Sequence, residues 1–225
     1  MTTKTVFITG ASSGIGAETA RHAVASGWNV ALFARSGDKL RALANELGSD
    51  RALPLEGDVT DLDSLSGAVG KTVQHFGALH AAFANAGTGL DIAGIEEGDP
   101  KAWRKLVDVN INGVLLTTKA VYGALKDTGG HLVLTGSVAG RIHIPGSVYS
   151  ASKWFVHGFA GNMAQDMREW GGRCTLIAPG MVDTPFFDDP KPDKLQPADV
   201  AEAVVHALDR PERANVQEIV LMPTG

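Results

Sequence analysis

The sequence predicts an α/β fold: one domain, residues 1–225, built on a doubly wound parallel sheet of seven strands with helices on both faces. Strand-length apolar runs alternate with helix-length segments along the whole chain. The runs are nearly continuously apolar, which is typical of strands that are buried on both faces. No linker, repeat or low-complexity tract interrupts the pattern, and 225 residues suffice for one large core.

In chain order, the strand-like runs cover residues 6–9, 29–34, 52–55, 79–84, 131–135, 174–178 and 218–222. The helix-length segments cover residues 15–26, 38–47, 62–76, 100–126, 150–170 and 197–208. A Pro- and Asp-rich passage at residues 184–197 predicts a loop of modest length. In such sheets a ligand binds beyond the carboxyl ends of the strands, so the residues that follow each strand form the candidate site.

The first strand runs directly into a glycine-rich turn and a helix, Thr9-Gly-Ala-Ser-Ser-Gly-Ile-Gly16. Glycines permit a tight turn and a close approach of the backbone to a ligand, and the free N–H groups of the helix face a phosphate. The spacing G-x-x-x-G-x-G differs from the commoner G-x-G-x-x-G. The strand–turn–helix context still predicts a Rossmann-type pyrophosphate site, formed by Gly10, Ser12, Ser13, Gly14, Ile15 and Gly16.

The end of the second strand distinguishes the two nicotinamide dinucleotides. Enzymes that prefer NAD place an acid there to hold the ribose hydroxyls. This chain reads Phe33-Ala-Arg-Ser36, and Asp38 comes too late. Arg35 instead suits a 2′-phosphate through charge-assisted hydrogen bonds, with Ser12 and Ser36 as helpers. The alternative for Arg35 is a solvated loop charge. The strand end favours NADP over NAD.

The third strand is followed by Gly57-Asp-Val59. Asp58 is a candidate acceptor for the adenine amino group, and the Val59 backbone is a candidate partner for a ring nitrogen. The alternative for Asp58 is a helix N-cap, although Asp61 is the better cap candidate for the next helix.

The stretch Tyr149-Ser-Ala-Ser-Lys153 stands 12 residues after Ser137. Positions i and i+4 of a helix share a face, so the phenol of Tyr149 and the ammonium of Lys153 point the same way. A free tyrosine has a pKa near ~10, and a neighbouring cation lowers that pKa toward a range useful for proton transfer. A Tyr and a Lys also occur four residues apart in helices that have no catalytic role. A catalytic role for this pair therefore depends on the other motifs of the chain.

The composition of the chain argues against several classes of function. The formal charge is −5 with no basic stripe, which argues against a nucleic-acid partner. The single cysteine, Cys174, predicts a buried thiol and a reducing compartment. No apolar run reaches the roughly 18 residues of a membrane span, and the N-terminus does not resemble a signal peptide. The seven histidines show no metal-ligand spacing. We expect a cytoplasmic enzyme of small molecules, with neither metal nor membrane attachment.

With these pieces in place, the sequence resembles the short-chain dehydrogenase/reductase family over essentially the whole chain. The matching segments are TGASSGIG, Asp58-Val59, Ala84-Asn85-Ala86-Gly87, Asn110, Ser137 with YSASK, and Pro179-Gly-Met-Val-Asp-Thr184. Six motifs in the correct order and spacing are a specific signal, unlike any one of them. One departure is Ala84, where the family usually has the first Asn of NNAG, and it puts one supporting hydrogen bond in question.

The resemblance implies a role for each matching residue. Ser137 and Tyr149 hydrogen-bond the substrate oxygen, and Tyr149 exchanges the proton. Lys153 lowers the tyrosine pKa and holds the nicotinamide ribose, while Asn110 positions a water that links Lys153 to solvent. The remaining cofactor contacts fall on Asn85, Ala86, Gly87, Pro179, Gly180, Val182 and Thr184. Of these, Val182 and Thr184 fix the nicotinamide amide. Taken singly, Ser137, Asn110 and Thr184 are also compatible with turn, helix and N-cap roles.

The activity implied is NADP(H)-dependent interconversion of a small carbonyl compound and its alcohol. The C-terminal part looks like that of members acting on small hydroxy acids, β-hydroxy amino acids and aldehydes. The resemblance also implies a homotetramer or homodimer through the long helices and the last strand. The alternatives are an NAD-linked alcohol dehydrogenase of the same family, a non-catalytic NADP(H) sensor, and a structural homo-oligomer.

Other residues are candidates with weaker arguments. His143 and Arg141 lie between Ser137 and Tyr149, where family members line the substrate pocket. Arg141 would orient a carboxylate there. Met181, Phe186 and Phe187 are candidates for an apolar pocket wall. Tyr122 is expected in the core or at an interface.

Overall fold

The computed structural model of the chain describes residues 3–89, 94–186 and 189–224. Its centre is a parallel sheet of seven strands in the order β3-β2-β1-β4-β5-β6-β7. The order reverses between β1 and β4, and a crevice opens beyond the carboxyl ends of the strands at such a point. The predicted single-domain Rossmann fold with seven parallel strands is confirmed.

The strands are β1 Thr5–Thr9, β2 Asn29–Ala34, β3 Ala52–Glu56, β4 Ala81–Ala84, β5 His131–Thr135, β6 Arg173–Pro179 and β7 Glu218–Leu221. The helices are α1 Gly14–Ala25, α2 Gly37–Leu47, α3 Leu62–Phe76, α4 Pro100–Val107, α5 Gly113–Lys126, α6 Val148–Arg168 and α7 Pro197–Leu208. A π-helical turn at Asp108–Asn112 joins α4 to α5, and a 3₁₀ turn covers Val138–Gly140.

Two hydrophobic cores lie on the two faces of the sheet. One packs α1, α2 and α7 against the strands, through residues such as Ala20, Leu40 and Val204. The other packs α3, α5 and α6 against the opposite face, where Leu65 and Val121 are fully buried. Because the central strands are covered on both sides, β1 is buried at all five positions. This double coverage explains the continuous apolar runs of the sequence.

The fourth strand begins at Ala81, two residues later than predicted. Leu79 is buried, and His80 bonds to Thr5 of β1 through both its backbone and its ring. Its backbone N–H donates to the Thr5 carbonyl, and its ring Nδ1 accepts from the Thr5 N–H at 3.0 Å. A side chain therefore replaces a backbone acceptor at this point, and a pattern of apolar residues does not reveal such an exchange.

The predicted helix 100–126 is interrupted in its middle. The N–H of Gly113 donates to the carbonyl of Asp108, five residues earlier, which defines the π-helical turn. Asn110 lies in this turn and is almost completely buried. Turns of this type occur frequently at functional sites. Within the described part of the chain, no helix combines the length and apolarity that crossing a membrane requires.

Candidate active site

A cleft of about 440 Å³ lies at the carboxyl ends of the strands. It is lined by most of the residues predicted from the sequence: Gly10, Ser12, Ser13, Gly14, Ile15, Arg35, Ser36, Asp58, Val59, Asn85, Ala86, Gly87, Ser137, Tyr149, Lys153, Pro179, Gly180, Val182 and Thr184. Two predicted residues, Gly16 and Asn110, are not among its lining residues and act from behind the wall. The structure thus brings together segments from every part of the chain.

The glycine-rich turn has the backbone that its sequence requires. Gly10 and Gly14 have φ of +67° and +52°, in the left-handed region that favours glycine. Gly16 is needed for a different reason, since a Cβ there would lie 2.3 Å from the Gly10 carbonyl oxygen. Ser13 precedes α1 and its side chain does not cap the helix. No side-chain cap therefore takes up the first N–H groups of α1, and Gly14 and Ile15 at its start line the cleft, as a pyrophosphate site needs.

The end of the cleft beside β2 and β3 is lined by one cation, Arg35, and one carboxylate, Asp58. Arg35 and Ser36 follow β2 directly and both are exposed. Asp58 uses one carboxylate oxygen to accept from the Thr60 N–H and hydroxyl, each at 3.0 Å. Asp61, not Asp58, caps α3 by accepting from the N–H groups of Asp63 and Ser64. The N-cap alternative for Asp58 is therefore wrong, and that for Asp61 is confirmed.

The turn after β4 is held by a residue that the sequence analysis did not single out. The buried hydroxyl of Thr9 accepts from the N–H groups of Asn85 and Ala86, at 3.0 and 3.1 Å. The Asn85 amide donates to the Thr9 carbonyl and accepts from the Thr135 hydroxyl. Ala84 is buried within β4. These four bonds hold the turn although the first Asn of the family motif is missing.

Asn110 fixes the segment after β4 to α6. Its Oδ1 accepts from the Thr88 N–H at 2.8 Å, and its Nδ2 donates to the Thr88 carbonyl and to the Ser152 hydroxyl. The amide is thus fully used in holding two segments of the cleft wall. The water-positioning role that the resemblance implies stays a prediction.

Ser137, Tyr149 and Lys153 meet on one wall of the cleft. Ser137 follows β5, while Tyr149 and Lys153 lie on the first turns of α6, which begins at Val148 and is capped by Ser147. The Lys153 Nζ lies 5.8 Å from the centroid of the Tyr149 ring and donates to the Thr135 carbonyl at 2.9 Å. The predicted common face of the two side chains is confirmed.

The pKa values differ from the expectation for Tyr149. Burial raises the pKa of its phenol above the ordinary value, and a hydrogen bond with Ser137 lowers it by less. Burial also lowers the pKa of Lys153 to about 8. The net pKa of the phenol is thus above its ordinary value, because desolvation outweighs the hydrogen bond with Ser137. The lowering of this pKa by Lys153 stays a prediction.

The weaker candidates have other partners. Arg141 pairs with Glu218 on β7, with its Nε 3.1 Å from Oε1, and its guanidinium is therefore committed outside the cleft. His143 stacks on Trp154 with ring centroids 5.4 Å apart. Neither residue is part of the cleft lining. The proposed orienting role of Arg141 finds no support in this geometry.

Aromatic residues behave partly as expected. Phe186 lines the cleft, with its ring centroid 5.7 Å from that of Tyr149. Met181 is exposed, and Phe187 lies outside the described residues. Tyr122 packs edge to face on Trp170 and donates to Asp166 on α6. Cys174 is a buried thiol, as predicted, and burial raises its pKa to about 12.

The cleft has further lining residues that sequence reasoning missed: Ala34, Gly57, Thr88, Lys105, Val109, Thr135, Gly136 and Pro185. Lys105 is an exposed cation on α4. Lys105 lies four residues before Val109, which directly precedes Asn110. Residues four apart share a helix face, and from this spacing Lys105 could have been predicted to lie at the cleft. Within the described residues, no group of three or more His, Cys, Asp or Glu side chains is placed to hold a metal ion.

These features fit a nicotinamide dinucleotide. The uncapped start of α1 and the left-handed glycines form a phosphate cradle, and Gly87 leaves room beside Lys153, where a Cβ would stand 4.0 Å from Nζ. The adenine end offers Asp58 and Val59, with Arg35 nearby. The far end offers Val182, which is held by a bridge to Leu195.

Comparison with known proteins gives one consistent result. A family model described as short chain dehydrogenase matches residues 4–194. An uncharacterized oxidoreductase of Staphylococcus saprophyticus is 36% identical over 228 residues, which cover 98% of this chain and 97% of the relative.

Two solved structures are similar over nearly the whole chain. An alcohol dehydrogenase from the archaeon Thermococcus sibiricus, complexed with 5-hydroxy-NADP, has a TM-score of 0.91 at 32% identity and covers 99% of this chain and 97% of its own. A closed form of serine dehydrogenase complexed with NADP+ has a TM-score of 0.90 at 26% identity, with 97% and 94% covered.

Proposed function

The chain belongs to the short chain dehydrogenase family, and from that premise we propose that it is an NADP(H)-dependent oxidoreductase that interconverts a small carbonyl compound and its alcohol. The observation that supports the proposal most is the meeting of Ser137, Tyr149 and Lys153 on one wall of a cleft that suits a dinucleotide. Tyr149 and Lys153 come from one motif of the sequence, and Ser137 lies 12 residues before it.

Tyr149 is the proton donor when a carbonyl is reduced. Because burial raises its pKa, the phenol is protonated at neutral pH, as a donor must be. The Ser137 hydroxyl, within hydrogen-bonding reach of the phenol, stabilises negative charge on the substrate oxygen. The bound nicotinamide supplies the hydride.

Lys153 has two roles in this proposal. Its side chain is 6% exposed, and its ammonium lies close to the tyrosine ring. The positive charge stabilises the phenolate that remains after proton transfer, and the N–H groups not used on Thr135 are available to ribose hydroxyls. In alcohol oxidation the same groups act in reverse, with Tyr149 as the base.

The preference for NADP rests on the end of β2. Arg35 is exposed at the cleft, and none of the described residues pairs with its guanidinium. Ser12 and Ser36 lie in the same lining, and together they suit a 2′-phosphate. The complexes of the two similar solved structures point to the same cofactor. An NAD-linked alcohol dehydrogenase is the alternative.

The substrate class is a small carbonyl compound or its alcohol. The similar solved structures include an alcohol dehydrogenase and a serine dehydrogenase. In this chain the wall nearest to Tyr149 includes Phe186 and Pro185, which give it apolar character. We expect activity on small aldehydes, ketones or hydroxy acids.

The assembly proposed is a homotetramer or homodimer. Leu115 on α5 and Trp154 on α6 are large apolar side chains left exposed, and Val220 and Met222 are exposed on and after β7. A second copy would cover the two helices or the edge strand. A molar mass from light scattering equal to that of one chain would exclude this part of the proposal.

The test is NADPH oxidation by the purified protein on a panel of aldehydes, ketones, 3-oxo acids and quinones. Tyr149→Phe removes the hydroxyl and should lower kcat by roughly 10³-fold, since it removes both the proton donor and a hydrogen bond to the substrate oxygen. The matched control is Tyr122→Phe, the other tyrosine, which lies outside the cleft. Turnover that survives Tyr149→Phe would show the mechanism to be wrong. Binding of NADPH with no turnover would favour a sensor.

The cofactor is tested in the same assay with NADH beside NADPH. Arg35→Asp should raise the KM for NADPH about 10- to 100-fold and leave the KM for NADH within a few-fold, because it replaces a charge-assisted contact by a repulsive one. Arg168→Asp makes the same charge change at an exposed site on α6 and serves as the control. An equal effect of both variants on NADPH would favour the NAD-linked alternative.

A further inference from the structure

The segment that carries the catalytic serine is held mainly through its backbone. The N–H of Gly136 donates to Ile177 on β6 at 2.8 Å, and Ser137 is 8% exposed. The Ser137 hydroxyl accepts from the Ala139 N–H, and its carbonyl accepts from the Gly140 N–H at 2.9 Å. The position of the hydroxyl in the cleft therefore depends on the backbone from residue 136 to residue 140.

Two side chains of α6 reach this segment, and one of them, Ser150, donates its hydroxyl to the Ala139 carbonyl at 2.8 Å. His157 lies on α6, one turn beyond Lys153, and its Nε2 stands 2.9 Å from the Ser137 carbonyl oxygen. The ring fills a slot between two glycines. A Cβ on Gly136 would lie 3.0 Å from its Nε2, and one on Gly140 would lie 2.7 Å from its Cδ2. Gly136 and Gly140 therefore leave the space that the His157 ring occupies.

The hydrogen bond fixes the state of the ring. A carbonyl oxygen only accepts, so Nε2 must carry the proton. The other nitrogen, Nδ1, lies 3.8 Å from the Glu218 carboxylate. In the neutral ring both of these atoms are acceptors, so no hydrogen bond joins them. Glu218 begins β7 and pairs with Arg141, which directly follows the 3₁₀ turn, so this ion pair joins the end of the serine segment to β7.

We propose that His157 is a positioning residue for Ser137, through the hydrogen bond that its Nε2 donates to the serine carbonyl. His157 reaches neither the cleft nor Tyr149, so it acts through the serine backbone alone. A donor at this point satisfies the second lone pair of the Ser137 carbonyl and limits movement of the hydroxyl. The inference rests on the proposed function for the catalytic role of Ser137, and on the contacts alone for the role of His157.

The test compares His157→Leu with His157→Gln, which retains an N–H donor. We expect Leu to lower kcat about 10-fold or more while the KM for NADPH stays within about twofold, because only the reacting geometry is disturbed. Gln should remain within about threefold of the wild type. His75→Leu, on α3 away from the cleft, is the control.

Two further measurements separate positioning from a general structural role. In a Ser137→Ala background, His157→Leu should change the residual kcat by less than about twofold, because the residue it positions is already absent. Hydrogen exchange of the segment 136–141 should be about 10-fold faster in His157→Leu and unchanged in His157→Gln.

The outcomes are distinct. An equal loss of kcat in both backgrounds, or unchanged exchange of the segment in His157→Leu, would overturn the inference. Wild-type turnover that depends on Tyr149 but not on His157 would overturn the inference and leave the proposed function intact. If the wild type shows no turnover, the proposed function fails, and the exchange experiment alone decides the role of His157.

Discussion

Lys153 combines a positive charge with a buried position, and the two have opposite effects on stability. Its only hydrogen bond among the described residues is to the Thr135 carbonyl, and burial lowers its pKa to about 8 from an ordinary value near 10.5. Below pH 8 the lysine is protonated in both folded and unfolded chains, so the full cost of burying the ammonium is present. Between pH 8 and 10.5 the unfolded chain binds more protons, and stability rises with pH.

Lys153→Met should therefore lose activity and yet be more stable than the wild type at pH 7. The difference in unfolding free energy between the two proteins should change by on the order of 2 kcal/mol from pH 7 to pH 10, in favour of the wild type. Tyr149 is present in both and cancels in the comparison. Urea unfolding at several pH values measures this, with Lys105→Met, at an exposed lysine, as control. A difference independent of pH would contradict the assignment.

Among the helices, the starts differ in how they are stabilised. Asp61 accepts from two N–H groups at the start of α3, at 2.9 and 3.2 Å. Ser36 holds the same place before α2 without a side-chain bond to the helix. A side-chain cap satisfies N–H groups that otherwise have no partner within the helix.

Asp61→Ala should lower the unfolding free energy by about 1 kcal/mol, because the capping bonds are lost. Ser36→Ala should leave it nearly unchanged, although both substitutions remove a small polar side chain at an N-cap. Thermal and urea unfolding without cofactor compare the two variants. Equal losses would show that the capping geometry does not explain the stability of α3.

The sequence predicted elements well where periodicity alone determines them. Four helices of this fold, α1, α2, α3 and α7, lie within one residue of their predicted bounds at both ends. Helix α6 begins and ends two residues earlier than predicted. Two other exceptions depend on particular hydrogen bonds. The ring of His80 replaces a backbone acceptor before β4, and one i to i+5 bond creates the turn at Asp108–Asn112. No window of apolar residues carries information on such bonds.

At the scale of the molecule, the end of the sheet opposite the cleft contains a buried titratable group. The Thr175 hydroxyl donates to the Val216 carbonyl, so it must accept from His131, whose Nε2 lies 2.7 Å away. The His131 Nδ1 has no partner among the described residues. Burial, together with the charge of Arg173, lowers the pKa of His131 to about 3.

The protein should therefore be destabilised by mild acid. Between pH 3 and pH 6.5 the unfolded chain protonates this histidine and the folded chain does not, so stability falls as the pH falls through 6.5. The loss from His131 is about 2 kcal/mol between pH 7 and pH 5. His131→Gln should reduce the dependence of the unfolding free energy on pH by that amount, whereas His143→Gln, at an exposed site, should not. An unchanged dependence in His131→Gln would show that the pKa of His131 is not lowered in the folded protein.

The active site was predictable to the extent that it consists of residues following strands. Gly10, Ser137 and Tyr149 are recognised from short motifs, and the sheet brings those motifs together. Behind the cleft, Gly16 and Asn110 were predicted from motifs, but other contributions were not predictable, because they depend on which side chains become neighbours only after folding. Thr9 and His157 are of this kind, since each supports a motif that lies far from it in sequence.

The π-helical turn at Asp108–Asn112 constrains the number of residues between α4 and α5. Removing one residue there would restore ordinary helical bonding and rotate α4 by about 100° relative to α5. Lys105 and Val109 would leave the cleft wall, and Asn110 would lose Thr88. A single substitution in this turn keeps the number of residues and therefore the rotation of α4 relative to α5, whereas a one-residue deletion changes that rotation. Natural variants of this segment should therefore differ in composition far more readily than in length.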